Sequence, residues 1–235
     1  MPRTPADPRR RIGTLNEKPL HAALKEWYRE PGDLTETPVD GFLVDLVRGD
    51  LLIEIQTGNL GAVRRKLQRL AQGHRVRLVY PIAERKWIVR MSQEGDRRLG
   101  RRRSPRRGAL HDVFEEMVSL PQLLALPGVS LEVLMIHEEE VRRYDPQRAW
   151  RRRHWVVQER RLLEVLHGYR FETTGDLRAL LPRSLQEPFT TADLAEAVDS
   201  TRRRAQQMAY CLRTLGEIVP TGRRRAGILY RRATA

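Results

Sequence analysis

The chain has 235 residues, 44 of them Lys or Arg against 30 Asp or Glu, and a formal charge of +14. That length buries a core as one large domain or two small ones, and an apolar content of 40% excludes a wholly disordered chain. A single cysteine, Cys211, excludes an internal disulfide and a Cys-based zinc cluster, while the lack of a signal-peptide core or of an apolar run near the ~18 residues that span a bilayer predicts a cytoplasmic protein with no membrane attachment.

Residues 1–12 read as a basic arm. A helix follows, with Asn16 at its N-cap, Pro19 in the first turn and an apolar stripe of Leu20, Leu24 and Trp27. Two apolar runs then flank Gly49-Asp50, a dipeptide that closes two-residue hairpins. Asn59 caps a second helix striped by Leu60, Val63, Leu67 and Leu70. Strands are expected at 74–82 and 86–91, and the Arg-rich stretch 93–108 reads as a loop or nucleic-acid clamp. A helix over 110–126 and a strand over 131–137 complete a first domain, 1–146. Its predicted class is α/β, an αβββαβ core with a mixed sheet.

Beyond it, residues 147–235 form an expected second, mostly α domain. A long amphipathic helix is predicted over 155–169 from Val156, Leu162, Leu163 and Leu166, and a short one over 176–181. Thr190 and Thr191 cap 192–198, a further helix covers 201–215, and a terminal hairpin carries the basic turn Thr221-Gly-Arg-Arg-Arg-Ala-Gly227.

The excess of basic over acidic residues calls for a polyanionic partner, most simply nucleic acid. Nearly all the cations are Arg, with Lys only at 18, 25, 66 and 86. A GC-rich coding bias explains Arg over Lys, but not the surplus itself.

The hairpin carries the chemistry. If Gly49-Asp50 is its loop, Arg48 pairs with Leu51, Leu46 with Ile53, and Asp45 falls opposite Glu54, with Cβ atoms ~4.5–5.5 Å apart. Two carboxylates so placed repel, and a hard divalent cation between them removes the conflict. Leu52, Glu54 and Gln56 share one sheet face. Glu17 lies on the side of the first helix that faces the sheet. Asp40 replaces Asp45 if the register shifts by one. His137-Glu-Glu-Glu140 has an acidic look but reads as a solvated charge run.

Gly13-Thr-Leu-Asn-Glu17 at the first helix, Asp45 on the second strand and Glu54-Ile-Gln56-Thr-Gly58 on the third resemble the PD-(D/E)XK, or restriction-endonuclease-like, nuclease superfamily over about residues 12–91. The resemblance implies that Asp45, Glu54 and the carbonyl of Ile55 bind Mg²⁺ or Mn²⁺, and that Glu17 holds water in the outer shell. Gln56 stands where that family usually has Lys; it offers a neutral donor and acceptor instead of a charge, which Lys66 or Arg64 on the next helix would have to supply.

The segment Phe189-Thr-Thr-Ala-Asp-Leu-Ala-Glu-Ala-Val198, its turn, the long helix and the basic hairpin resemble a winged helix-turn-helix over 155–235. On that helix Ala205, Met208, Ala209, Leu212 and Leu215 form a core stripe. Arg203, Gln206, Gln207 and Tyr210 fall opposite, where they reach base edges, and Arg223, Arg224 and Arg225 at the wing tip would meet phosphates.

The function these residues predict is a divalent-metal-dependent DNA endonuclease positioned by its winged helix, with room for a homodimer or a larger nuclease assembly. The alternative is a non-catalytic DNA-binding regulator or architectural protein on a degenerate nuclease fold.

Overall fold

The structure, a computed structural model, describes residues 18–148, 150–225 and 227–234. Asn16, Glu17, the Gly13-Thr-Leu stretch and the basic arm lie outside the described residues.

Helix α1 (Pro19–Tyr28) begins at Pro19, whose ring presets the helical φ and whose missing N–H is harmless in the first turn. Three antiparallel strands follow: β1 (Leu34–Val39), β2 (Phe42–Arg48) and β3 (Leu51–Ile55). The register of β2 against β3 is the expected one, Arg48 to Leu51 and Leu46 to Ile53. Gly49 sits at φ +58° in the loop, where a side chain would be strained. Asp40, the alternative metal ligand, lies in the β1–β2 turn and faces His74 at 3.4 Å.

A short 3₁₀ turn leads into α2 (Arg64–Leu70), and the chain returns as β4 (Arg75–Met91), parallel to β3. Asn59 precedes that turn in a left-handed conformation and makes no side-chain cap. β6 (Val129–Tyr144) runs parallel to β4, and β7 (Trp155–Phe171) antiparallel to β6. The protein is therefore mixed α/β, and its mixed seven-stranded sheet has the order β1-β2-β3-β4-β6-β7, with β5 (Arg98–Arg103) paired to the far end of β4.

Several expectations fail for identifiable reasons. Residues 155–169 are strand, not helix. Their Leu, Glu, Gln and Arg favour helix intrinsically, but β6 offers a pairing edge from Leu131–Phe171 to Tyr144–Trp155, and ladder bonds over that length override propensity. Leu163 accordingly stays 46% exposed. Because β7 belongs to the sheet, the expected boundary at 146/147 falls inside the β6–β7 hairpin.

The two strands expected over 74–91 are one, with an irregularity between Ala83 and Arg85. There the Gly108 N–H donates to the Ala83 carbonyl at 3.0 Å. A Cβ on Gly108 would stand 2.4 Å from that oxygen, so only glycine lets this segment pass. Part of the Arg-rich stretch is strand β5, not loop: Arg101 stacks over Trp87 at 5.0 Å and bonds Glu139 at 2.8 Å. The helix expected over 110–126 is limited to α3 (Val113–Met117) between two 3₁₀ turns.

On α1, Trp27 is 53% exposed and Tyr28 takes its place in the core, because the Tyr28 hydroxyl donates to buried Glu132 at 2.6 Å. Leu20, Leu24 and Tyr28 cover one sheet face, against Leu46, Ile53, Ile55 and Val79. The other face is covered by α2, α3 and the C-terminal elements in one continuous apolar cluster.

Those C-terminal elements are α4 (Thr174–Arg178), α5 (Thr191–Ala197), α6 (Arg202–Thr214) and the hairpin β8 (Ile218–Arg224) and β9 (Gly227–Arg232). Thr190 caps α5 by accepting from Ala192 and Asp193, and Asp193 bonds back to the Thr190 N–H, a reciprocal cap that fixes the helix start. Thr201 caps α6. Ala205, Met208, Ala209, Cys211 and Leu212 are buried, and Arg204 ties α6 to α3 through Asp112 at 3.1 Å.

Candidate active site

The β2–β3 hairpin delivers Asp45, Glu54 and Gln56 to the same end of the sheet. The β2–β3 ladder closes at Leu46–Ile53, and beyond it the Asp45 carboxylate turns to accept from the Ile55 backbone N–H at 2.8 Å. That bond anchors Asp45 one residue from Glu54. His21, from the first turn of α1, lies 3.3 Å from the same carboxylate oxygen.

Glu54 is only 4% exposed. Lys66, projecting from α2, forms an ion pair with it and also donates to the Leu43 carbonyl at 2.5 Å. Of the two side chains expected to compensate for Gln56, Lys66 is therefore at the site; Arg64 instead bonds the Ser119 carbonyl.

The two carboxylates feel one another. Burial and then the Asp45 charge push Glu54 up to about 6, against the pull of Lys66 and a hydrogen bond from Gln56. Burial also works to raise Asp45, but His21, the Ile55 N–H and Lys66 together outweigh it and hold Asp45 below its ordinary value. An acid with perturbed titration beside an ionised one is a frequent signature of chemistry.

Asp45 and Gln56 open onto a cleft of about 770 Å³ that also receives Lys18, His21, Lys25 and Arg160. Arg160 reaches in from β7, donating to the Thr57 carbonyl at 2.8 Å and to buried Glu138 at 2.9 Å. Glu36 and Glu159 line it as well, and Glu36 pairs with Lys25 at 2.8 Å, so the cleft carries charge of both signs.

The donor set suits a hard divalent ion in chemistry: two carboxylates, one forced toward protonation by the other, beside the Ile55 peptide. Among the described residues no three His, Cys, Asp or Glu side chains gather as a metal cluster. Any ion here would draw its remaining ligands from backbone, water or substrate.

The acidic run on β6 differs from its expectation. Glu138 is 0% exposed and Glu140 6%. Glu138 holds Lys86 at 2.9 Å as well as Arg160, and Glu140 holds Lys86 at 2.9 Å and Arg142. The period-two alternation of a strand buries this pair while His137 and Glu139 point the other way. It is a structural charge network, not a solvated run.

The residues expected to touch DNA are accessible. Arg203, Gln206 and Tyr210 are exposed on α6 and Gln207 is half-buried; Arg223, Arg224 and Arg225 are exposed at the tip of the β8–β9 hairpin. His21 and Arg160 escaped the sequence reading, since nothing in local spacing ties them to the hairpin. Lysine usage did carry a signal. In a chain that otherwise uses Arg, Lys18 and Lys25 line the cleft, Lys66 meets Glu54, and Lys86 meets Glu138 and Glu140.

Residues 18–172, the segment that makes the sheet, match the family described as "Domain of unknown function (DUF8091)", and the chain belongs to that family. It also aligns over 225 residues, at 32% identity, with an uncharacterized protein of Treponema pallidum (strain Nichols), across 94% of this chain and 87% of that protein. No solved structure matches the chain. Among the described residues no helix is long and apolar enough to cross a membrane.

Proposed function

We propose that the protein is a cytoplasmic, divalent-metal-dependent DNA endonuclease of the PD-(D/E)XK type, carried to DNA by a winged helix formed by α4–α6 and β8–β9. The observation that carries this reading is the buried Glu54, driven up to about 6 by burial and by Asp45, with Asp45 itself opening onto a cleft that also receives Lys18, Lys25 and Arg160. Support also comes from element order: helix, three-strand antiparallel meander, helix, then a strand parallel to the third.

Asp45, Glu54 and the Ile55 carbonyl would hold Mg²⁺ or Mn²⁺, whose contribution is to polarise a phosphodiester and lower the pKa of an attacking water. Lys66, released from Glu54, supplies the positive charge that Gln56 lacks and neutralises the phosphate. Gln56, neutral and bifunctional, orients water or a phosphate oxygen. Lys18, Lys25 and Arg160 bind the flanking backbone. The outer-shell role of Glu17 lies outside the described residues.

One observation favours the alternative, a non-catalytic DNA-binding protein: Lys66 already pairs with Glu54, and the His21 ring already stands against Asp45, without an ion.

Plasmid and oligonucleotide cleavage in Mg²⁺ or Mn²⁺ separates the two. Wild type should cut, and Asp45→Asn, Glu54→Gln and Lys66→Ala should each lose about a hundredfold or more, as when a group that stabilises transition-state charge is removed. Equal rates in all four proteins, or DNA binding without any cleavage, would leave the non-catalytic reading standing.

A further inference from the structure

Beside β5, where it pairs with the C-terminal end of β4, the sheet carries a second cationic feature. Arg85, Arg102, Arg103 and Arg107, with Ser104 and Pro105, line a concavity of about 490 Å³. No acidic side chain lines it. Among the described residues, Arg102, Arg103 and Arg107 form no ion pair, and Arg85 has only Glu84, at 4.0 Å from a buried Nε that makes no hydrogen bond.

Neighbouring arginines are treated differently. Arg101 pairs with Glu139 at 2.8 Å, Arg106 with Glu115 at 3.3 Å, and Arg142 with Glu140. Carboxylates are therefore at hand, yet Arg102, Arg103 and Arg107 gather at the concavity without one. Such crowding is unfavourable unless an anion relieves it.

The frame holding these arginines is ordered by backbone bonds. Ser104 N–H donates to the Lys86 carbonyl at 2.7 Å and Gly108 N–H to that of Ala83 at 3.0 Å. The irregularity between Ala83 and Arg85 shifts the register at which Arg85 rejoins the β4–β6 ladder opposite His137. Arginine on an exposed edge strand also discourages edge pairing, which accounts for residues of β5. It does not account for Arg85, on β4, or for Arg107, outside any strand.

We propose that this arginine cradle is a phosphate-binding exosite that grips the nucleic-acid backbone away from the carboxylate cleft. Guanidinium forks match phosphate oxygens bidentately. Between cradle and cleft, Ser104 also lines a cavity of about 400 Å³ where Lys86, Arg106 and Arg160 stand among Asp112, Glu115, Glu116 and Glu138, so the cradle is a separate all-cationic contact and not an extension of the cleft. Taking the polyanion to be DNA rests on the proposed function; the gripping of phosphodiesters does not need cleavage.

The test is anisotropy of labelled duplex and single-stranded oligonucleotides in EDTA, across a salt series. Arg102→Gln/Arg103→Gln/Arg107→Gln should bind about tenfold or more weakly, and its log K against log salt should lose ~0.7–0.9 in slope per arginine removed. A charge-matched triple elsewhere, Arg65→Gln/Arg69→Gln/Arg183→Gln, should fall less. The Arg→Lys triple at the cradle keeps the charge and should restore most of the slope. Glutamine and wild-type proteins with equal affinity and slope, or loss in the Gln and Lys triples alike, would overturn the exosite. So would competition by inorganic phosphate that leaves DNA binding intact. Because binding is read in EDTA, where metal-dependent cleavage does not run, failure of cleavage and failure of the exosite are read separately.

Discussion

On the β2–β3 hairpin Glu54 is 4% exposed and meets Lys66, while Asp45 meets His21 and a backbone N–H. On the β8–β9 hairpin Arg223, Arg224 and Arg225 are all exposed. Both are short antiparallel hairpins with charged residues near their ends. The first buries charge, so its groups shift one another's protonation and a change at one is felt by the others. The second leaves charge in water, where screening weakens each interaction but a long polyanion can still collect several at once. Burial makes a site that can do chemistry; exposure makes one that can hold and release.

The strongest test of that contrast is at the most buried acid. Glu138→Ala should destabilise the fold by about 3–5 kcal/mol, because Lys86 and Arg160 lose their common buried partner. Urea unfolding reads this directly, and a loss under ~1 kcal/mol would mean that the β6 network is solvated after all.

A smaller effect is expected at Glu54, with a definite pH dependence. Its folded-state value of about 6 exceeds the ordinary 4.5, so the folded state holds the extra proton between those values. Stability from this group is full below 4.5 and is lost as pH rises through 6. At ~1.4 kcal/mol per pH unit the deficit above that range is about 2 kcal/mol. Glu54→Gln should therefore stabilise the metal-free protein near pH 8 by about 1–2 kcal/mol and hardly at all near pH 4. Adding Mg²⁺ should raise the Tm of wild type more at pH 8 than at pH 5 and leave Glu54→Gln nearly unmoved. Identical pH profiles for the two proteins would dismiss the coupled pair.

The least stability change belongs to the β8–β9 hairpin tip. Arg223→Gln/Arg224→Gln/Arg225→Gln should alter unfolding by no more than ~0.5 kcal/mol while lowering both DNA affinity and its salt slope. A large drop in Tm would place those side chains in packing and not in binding.

Local signals were legible where a short stretch decides the outcome alone. Gly49 and Asp50 specify a two-residue loop, and the loop fixes the pairing of Arg48 with Leu51. Thr190 with Asp193, and Thr201, specify helix starts by satisfying N–H groups that the helix leaves open. The spacing of Ala205, Met208, Ala209 and Leu212 marks a buried face for the same reason: helical period alone brings them together.

What failed to show was whatever depends on a distant partner. Residues 155–171 are strand because β6 is there to pair with. Tyr28 displaces Trp27 from the core because Glu132, 104 residues away, accepts its hydroxyl. Glu138 is buried because Lys86 and Arg160 come to it from β4 and β7.

The sequence by itself determined the hairpin, the Thr190 cap, the positive surplus and the pair of acids on neighbouring strands, since each follows from bonds and periods spanning a few residues. Tertiary structure decided how those acids are balanced. Lys66 and His21 arrive from two different helices, and only the packed sheet brings these side chains within reach of Glu54 and Asp45.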